Sequence, residues 1–353
     1  MANEHVARTV LWPTDTRILV RVVFLYVGQG SSAIVFVGNQ SSYKVLLVDI
    51  NLDWKNGGID VPRAVKDLLN GQHLDAFVNT HPHDDHLRGV EALSDCVTIK
   101  EVWHSGHVPS KKYGARYKDL KNVIDKVKKA GGSETTLAGS RSVTALGDAE
   151  YYVLGPAEYL TDEVNDAQSE ERYRRIYEQC VVLKFGQNQS WIMIPGDADR
   201  NAFEKHITEY HRERLPSFAI GASHHGSRTF FMMNEGDEPY LDGLKAIDPV
   251  YVVISAPTQE ESDHGHPHDE AMKLYAEFVG QQNLVHTGAE RYSYFFDIYR
   301  DGSHSGIQHD NGDIAATYAL VDDDGNNGGK AEGRGPFVSP KSQTGDLTPR
   351  RYG

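Results

Sequence analysis

From residue 18 to residue 50 the chain carries three apolar runs, ILVRVVFLYV, SSAIVFVG and YKVLLVDI, separated by Gly, Asn and Ser. Such runs predict strands joined by hairpins, because branched and aromatic side chains fit a pleated surface while Gly and Asn accept turns. Helical spacing follows in VPRAVKDLLNG, which stops at Gly71. LDAFVNT is an apolar strand that runs directly into His81, and LRGVEALSD can open a helix just after His86, so residues 81–86 are expected on a strand-to-helix loop. From about 133, strand-like pieces such as EYYVLGP alternate with the polar, acidic DEVNDAQSEERYRRIYEQ. CVVLKF and SWIMIPGD read as a further hairpin, and DRNAFEKHITEYHRERL has helical spacing. The strands SFAIGAS and VYVVISAP, the helix DEAMKLYAEFVG and the strand YSYFFDIYR complete a second αβ-rich half. Two such halves predict an α/β fold, a four-layer αββα sandwich built as one domain over residues 1–320. The Gly-rich, polar segment 321–353 has almost nothing apolar to bury and is expected to be a disordered tail.

Composition narrows the function classes. With 39% hydrophobic residues in 353, the chain can bury a substantial core. No apolar run of about 18 residues and no basic-then-apolar leader is present, so neither a membrane span nor a signal peptide is expected. Cys96 and Cys180 lie far apart and outside any C-x-x-C spacing, which makes a reducing cytoplasm the expected compartment. Against 36 Lys+Arg stand 50 Asp+Glu, a formal charge of -14 that argues against a broadly basic nucleic-acid surface. One stretch runs the other way: Lys111, Lys112, Arg116, Lys118, Lys121, Lys126, Lys128 and Lys129 face only Asp119 and Asp125. It reads as a solvated helix face or as a contact for an anionic substrate.

The chemistry concentrates in HPHDDH, an H-x-H-x-D-H cluster of His81, His83, Asp85 and His86. A spacing of two on extended backbone aims His81 and His83 to one side, while Asp85 and His86 turn back toward a second position, so one loop can serve two cations. Imidazole and carboxylate donors suit zinc and also manganese or iron. Further ligands must come from elsewhere. Asp197 in IPGDADR follows a strand and a Gly, with Asp199 the weaker candidate. GASHHGSR offers His224 and His225, with Gly226 allowing close backbone approach. DHGHPHDE adds His264, His266 and His268, which are either solvated or reach the site from the opposite wall.

These residues resemble the metallo-β-lactamase superfamily, and more narrowly the soluble hydrolase domain of ComEC-type competence proteins. The resemblance rests on VGQGSS (Val27–Ser32), VDI with Asp49, HPHDDH (His81–His86), PGDAD around Asp197, SHHGS (Ser223–Ser227) and HGHPH (His264–His268), and it spans about residues 20–300. It implies that His81, His83 and Asp197 hold one metal and that Asp85, His86, Asp197 and His225 hold the other. It also implies that Asp49 orients the cluster, that His224, Ser227 and His266 line the site, and that His266 is an extra ligand or proton donor. There are departures. Ser31 stands where relatives carry an acidic residue, the third histidine of lactamases and thioesterases has no clear counterpart, since His104 and His107 follow the cluster closely, and the competence proteins' membrane channel is missing.

The expectation is therefore a metallohydrolase with two divalent metal ions, zinc or manganese, using a hydroxide bridged between them. A phosphodiester is the leading substrate class, with Asp85, Asp197, His224 and His266 as catalytic candidates. DNA or RNA comes first within it and a smaller phosphodiester such as a cyclic nucleotide or phosphorylcholine ester second. Hydrolysis of a lactone, thioester or β-lactam bond is the enzyme alternative, and a metal-bound interaction module without catalysis is the non-enzyme one.

Overall fold

The computed structural model describes residues 5–111 and 114–320. The expected tail from 321 and Lys112 of the basic stretch lie outside the described residues. Among the described residues, β1 (Ile18–Phe24), β2 (Ala33–Asn39), β3 (Ser42–Val48), β4 (Leu74–Asn79), β5 (Ile99–His104) and β6 (Ser133–Thr136) enter one sheet. The second sheet takes β7 (Thr144–Leu146), β8 (Ala149–Gly155), β9 (Val182–Gln187), β10 (Ser190–Ile194), β11 (Ala219–Gly221), β12 (Tyr251–Ile254) and β13 (Leu284–His286) in chain order. The chain then returns to the first sheet with β14 (Tyr294–Tyr299) and β15 (Gln308–His309), giving the order β15-β14-β1-β2-β3-β4-β5-β6.

Alternation along each central strand builds the layers, since successive side chains point to opposite faces. In the first sheet Val20, Val22, Val35, Val37, Leu46 and Val48 face the second sheet, where they meet Leu183, Phe185, Ile192, Ile194, Ala219 and Val253. Their neighbours Val23, Ile34, Phe36, Val45 and Leu47 face the other way and pack on the helices Val61–Leu69 and Tyr117–Lys129. In the second sheet Val182, Met193, Ile220, Val252 and Ile254 face outward and are covered through Phe203, Phe230, Leu244 and Tyr275. Three apolar interfaces between four layers make the αββα sandwich.

Each sheet changes character partway across. β1 to β3 are antiparallel and β3 to β6 parallel; β8 to β10 are antiparallel and β10 to β13 parallel. The carboxyl ends of β4, β10, β11 and β12 are where the loops bearing the candidate residues begin, the position at which parallel strands usually present ligand sites.

One local expectation is corrected. The strand in YSYFFDIYR does not complete the second half: as β14 it pairs antiparallel with β1, Phe24 opposite Tyr294 and Arg21 opposite Asp297. Its apolar alternation would suit either sheet, and the two charged interruptions decide. Buried Arg21 Nε and Nη2 donate to Asp297 Oδ1 and Oδ2 at 2.6 and 2.7 Å, a bidentate pair between residues that this register sets opposite each other. The acidic segment before β9 folds into the helices Glu158–Asp166 and Ser169–Arg174, of which only Leu160 and Val164 are buried, so no apolar period announced them. The helical spacing after Asp199 is realised with a π-helical turn, Phe203–Ile207, between short α segments.

Breaking the buried pair leaves an uncompensated charge, so Asp297→Ala should destabilise the protein by about 3–5 kcal/mol. Urea unfolding checks this; a shift below about 1 kcal/mol would mean that the pair does not hold β14 in place.

Candidate metal centre

The tight turn after β4 places the H-x-H-x-D-H cluster. His83 N donates to the His81 carbonyl at 3.0 Å and His86 N to the His83 carbonyl at 3.2 Å, after which a single helical turn spans Asp84–Leu87. Asp49, at the end of β3 with φ 57°, anchors that turn. Its Oδ1 accepts from Thr80 N at 2.7 Å, its Oδ2 from Thr80 Oγ1 at 2.6 Å, and His86 Nδ1 lies 2.7 Å from Oδ2. A carboxylate at Nδ1 fixes that nitrogen as the donor and turns Nε2 of His86 inward.

The second sheet supplies the other wall. Asp197 follows Gly196, whose φ is 56° and whose hydrogen stands where a Cβ would come 2.9 Å from Thr80 Cβ; glycine lets the two loops touch. His224 and His225 both adopt left-handed backbone, φ 50° and 55°, uncommon for consecutive non-glycine residues and the means by which two adjacent rings reach one volume. His225 Nδ1 lies 3.1 Å from the Ser255 carbonyl, and His224 Nδ1 lies 2.8 Å from Thr229 Oγ1, which donates in turn to Ser227 Oγ at 3.2 Å.

The side chains converge. His86 Nε2 is 3.1 Å from Asp197 Oδ1 and 3.3 Å from His225 Nε2; His81 Nε2 is 3.5 Å from Asp197 Oδ2; His225 Nε2 is 3.3 Å from Asp85 Oδ2. His81, His86 and Asp197 form one group whose donor atoms lie within 4.8 Å of one another, and Asp85, His86 and His225 form another. His83 stands outside both, its ring 4.7 Å from that of His81. His224 Nε2 is 3.6 Å from Asp197 Oδ2, and the His266 ring lies 5.1 Å from that of His224. His81 Nε2 and Asp197 Oδ1 are buried yet make no hydrogen bond. Lone pairs crowded together without satisfying one another are what a shared cation requires, so the residues present fit divalent metal ions.

The electrostatics follow from burial and from this crowding. Burial disfavours the His86 cation, but Asp197, Asp49 and Asp85 overcome it and raise its pKa well above 6.5; His225 is raised by Asp197 and Asp85 against the same opposition. Burial would raise Asp85 and Asp197, but the neighbouring imidazoles hold both below the ordinary carboxylate range. His81 is pushed well down by burial, and His224 to about 4 and His266 to about 2, each helped by neighbouring histidines.

A cleft of about 720 Å³ opens over the group, lined by His83, Asp85, Asp197, His224, His225, Ser227, His264, His266 and His268 together with Asp53, Asp84, Asp263 and Arg88. Of the open histidines, His104 is occupied elsewhere, by Glu134 at 3.0 Å and by the Gly106 amide. His107 is buried with both ring nitrogens unpartnered, and burial and His83 lower it to about 4. Asp199 caps the following helix through Ala202 N and is raised by burial to about 6. Tyr177, which no motif announces, also lines the cleft: its ring lies 4.4 Å from His224 and 5.4 Å from His83. Its only signal was the four-residue spacing from Tyr173, which also lines the cleft. The described members of the basic stretch are not among the lining residues; Lys126 pairs with Asp95 and Lys128 with Glu134.

A four-layer αββα sandwich with this site at its strand ends is the metallo-β-lactamase fold. No family model and no curated protein matches the chain. Among solved structures it is similar to a diphosphatase from the PhnP family, at 12% identity over 76% of this chain and 94% of that one, TM-score 0.38. It is also similar to Igni18, a metallo hydrolase from Ignicoccus hospitalis KIN4/I, at 12% identity over 75% and 94%, TM-score 0.39. A third is ST1585 from Sulfolobus tokodaii, an archaeal metallo-beta-lactamase superfamily protein, at 15% identity over 50% and 62%, TM-score 0.26.

Two outcomes follow. Asp49→Asn should weaken metal binding by about 10–100-fold by freeing the His86 ring, which competition with a chromophoric chelator will measure; unchanged affinity would remove Asp49 from the site. In metal-free protein, His107 and His224 stay neutral down to about 4 while the unfolded chain takes up protons from about 6.5. The unfolded state thus binds more protons between those limits, and stability falls as pH drops, by on the order of 3 kcal/mol for each group once both forms are protonated. Urea midpoints of chelated protein should be lower at pH 4.5 than at 6.5, and a higher midpoint at 4.5 would contradict this assignment.

Proposed function

We propose that the chain is a metal-dependent phosphodiesterase with a dinuclear centre. The observation that carries this is the convergence of His81, His86, Asp85, Asp197 and His225 on one volume with two buried donor atoms left unpaired. His81, His83 and Asp197 would hold one cation and Asp85, His86, Asp197 and His225 the other, with Asp49 fixing the direction of His86. When bound, two divalent cations lower the pKa of water toward neutrality and neutralise charge building on a phosphoryl oxygen. Zinc and manganese both suit this donor set.

The chain's own residues supply the rest. His224 and His266 are neutral near pH 7, because burial depresses both, so they hydrogen-bond to phosphoryl oxygens and add no further charge. The Tyr177 hydroxyl stays protonated, raised by burial and by Asp197 and Asp85, and is a donor to the same oxygens. Ser227, through Thr229, keeps the His224 ring turned toward Asp197.

Charge at the mouth selects within the substrate class. Arg88 is the one Arg or Lys among the described residues lining the cleft, against Asp53, Asp84 and Asp263, the last paired with Lys55. A polynucleotide needs a cationic track for its backbone. A small phosphodiester, which presents a single phosphate to the metals, fits this cleft better than DNA or RNA. The narrower likeness to ComEC-type hydrolases rests on the motifs.

Asp85→Ala and Asp197→Ala should each abolish turnover of bis(p-nitrophenyl) phosphate with Mn or Zn while leaving the circular dichroism spectrum unchanged. Full activity in either folded variant would defeat the proposal. A substrate panel on the same preparation, with metal content measured, should give about two equivalents of metal and faster turnover of small diesters than of single- or double-stranded DNA, RNA, nitrocefin or a lactone.

A further inference from the structure

The two cation positions of the centre are built unequally. At the Asp85 position, His86 Nε2 and His225 Nε2 lie 3.3 Å apart, Asp197 Oδ1 is 3.1 and 3.5 Å from them, and Asp85 Oδ2 is 3.3 Å from His225 Nε2. Ligands about 2.0–2.2 Å from one tetrahedral ion stand roughly 3.3–3.6 Å from one another, so these four residues already keep close to the spacing of a filled position. Both imidazoles are also held from behind. His86 Nδ1 is 2.7 Å from Asp49 Oδ2, and His225 Nδ1 is 3.1 Å from the carbonyl of Ser255, a residue pinned in turn by its hydroxyl, which donates to the Gly30 carbonyl at 2.9 Å. With Nδ1 as the donor, each neutral ring presents its Nε2 lone pair inward.

At the His81 position the set is incomplete. His81 Nε2 is 3.5 Å from Asp197 Oδ2, and the Thr80 hydroxyl, 3.2 Å from His81 Nδ1, backs that ring. The close group to which these two belong is completed by His86, which the Asp85 position already uses. His83 lies outside that group, partly exposed in the wall of the cleft, and its ring makes no hydrogen bond among the described residues. Only the rings of Tyr177 and Tyr173, at 5.4 and 6.2 Å, flank it on the cleft side. His224 Nε2, 3.6 Å from Asp197 Oδ2, also falls outside the group. An imidazole with no hydrogen-bonded partner behind it is free to turn, and loss of such a partner typically costs about 10–100-fold in metal affinity. We propose that the two positions fill in order, the Asp85 position first and tightly and the His81 position second and reversibly, with His83 as the residue that limits the second. This rests on the dinuclear reading above and adds a form of regulation to it: the level of free divalent cation sets the fraction of chains in which both positions are filled.

Calorimetric titration of the full, metal-free chain with Mn(II), read beside its electron paramagnetic resonance spectrum, tests the order. Two binding events are expected, the second at least about tenfold weaker than the first. One equivalent should give the spectrum of an isolated ion, and excess Mn(II) that of two ions coupled through the shared Asp197 carboxylate. His83→Ala should weaken the second event by about tenfold or more and leave the first within about threefold. His83 is partly exposed, and circular dichroism will confirm that the variant folds. Two events of equal affinity in the unaltered chain, or loss of the tighter event in His83→Ala, would overturn the order of filling while leaving the dinuclear reading in place. A single equivalent bound at every Mn(II) concentration would overturn the dinuclear reading and this proposal with it. Neither readout depends on turnover, so failure of the phosphodiesterase reading registers separately, in the substrate panel.

Discussion

Two carboxylates, buried Asp197 and partly exposed Asp85, stand among His81, His86 and His225 at separations of 3.1–3.9 Å. Bringing so many lone pairs and charges together in a low-dielectric interior is unfavourable unless something positive is shared among them. In the chain alone that role falls to protons: His86 and His225 are raised and the carboxylates lowered. The same preference is what makes this group of side chains fit a divalent cation.

The architecture meets that demand by placing the contributing loops at the carboxyl ends of parallel strands from two facing sheets. One sheet presents Asp49 and the cluster after β4, the other Asp197 after β10 and the histidine pair after β11. Close approach of the two sets depends on residues with no side chain to interpose. At Gly196 a Cβ would meet Thr80, and at Gly30, with φ 136°, it would come within 2.5 Å of the Asp85 carbonyl. VGQGSS thus contributes backbone to the site, and the Ser31 hydroxyl lies 3.4 Å from His225 Nδ1. The strained backbone of His224 and His225 belongs to the same economy of space.

The cleft above the centre sets Asp53, Asp84 and Asp263 beside one guanidinium, Arg88, and six imidazoles, so its mouth carries no cationic track. The basic stretch that drew attention in the sequence is committed elsewhere: Arg116 pairs with Asp119, Lys126 with Asp95 and Lys128 with Glu134. A run of charges in sequence says only that a segment is solvated. Which surface it faces depends on the helix phase: in Tyr117–Lys129, Leu120, Val123, Ile124 and Val127 are buried in the first sheet's helical layer, which leaves the lysines on the opposite, solvent side.

By itself the sequence determined the strands from β1 to β4, the hairpin of β9 and β10, the helices Val61–Leu69 and Asp269–Val279, and the grouping of histidines and aspartates at strand ends. Those are local properties: period-two and period-3.6 apolar spacing, turn residues, and metal-ligand types at short separation. Tertiary structure alone decided that YSYFFDIYR closes the first sheet, because the matching of Arg21 with Asp297 joins residues 276 positions apart. It also decided that Tyr177 faces His224, that His83 stands aside from the tightest ligand groups, and that His104 is turned to Glu134 while His107 lies buried. Each of those outcomes is set by which loops meet across the two sheets, and a linear pattern carries no record of contacts between segments that only folding brings within a few ångströms.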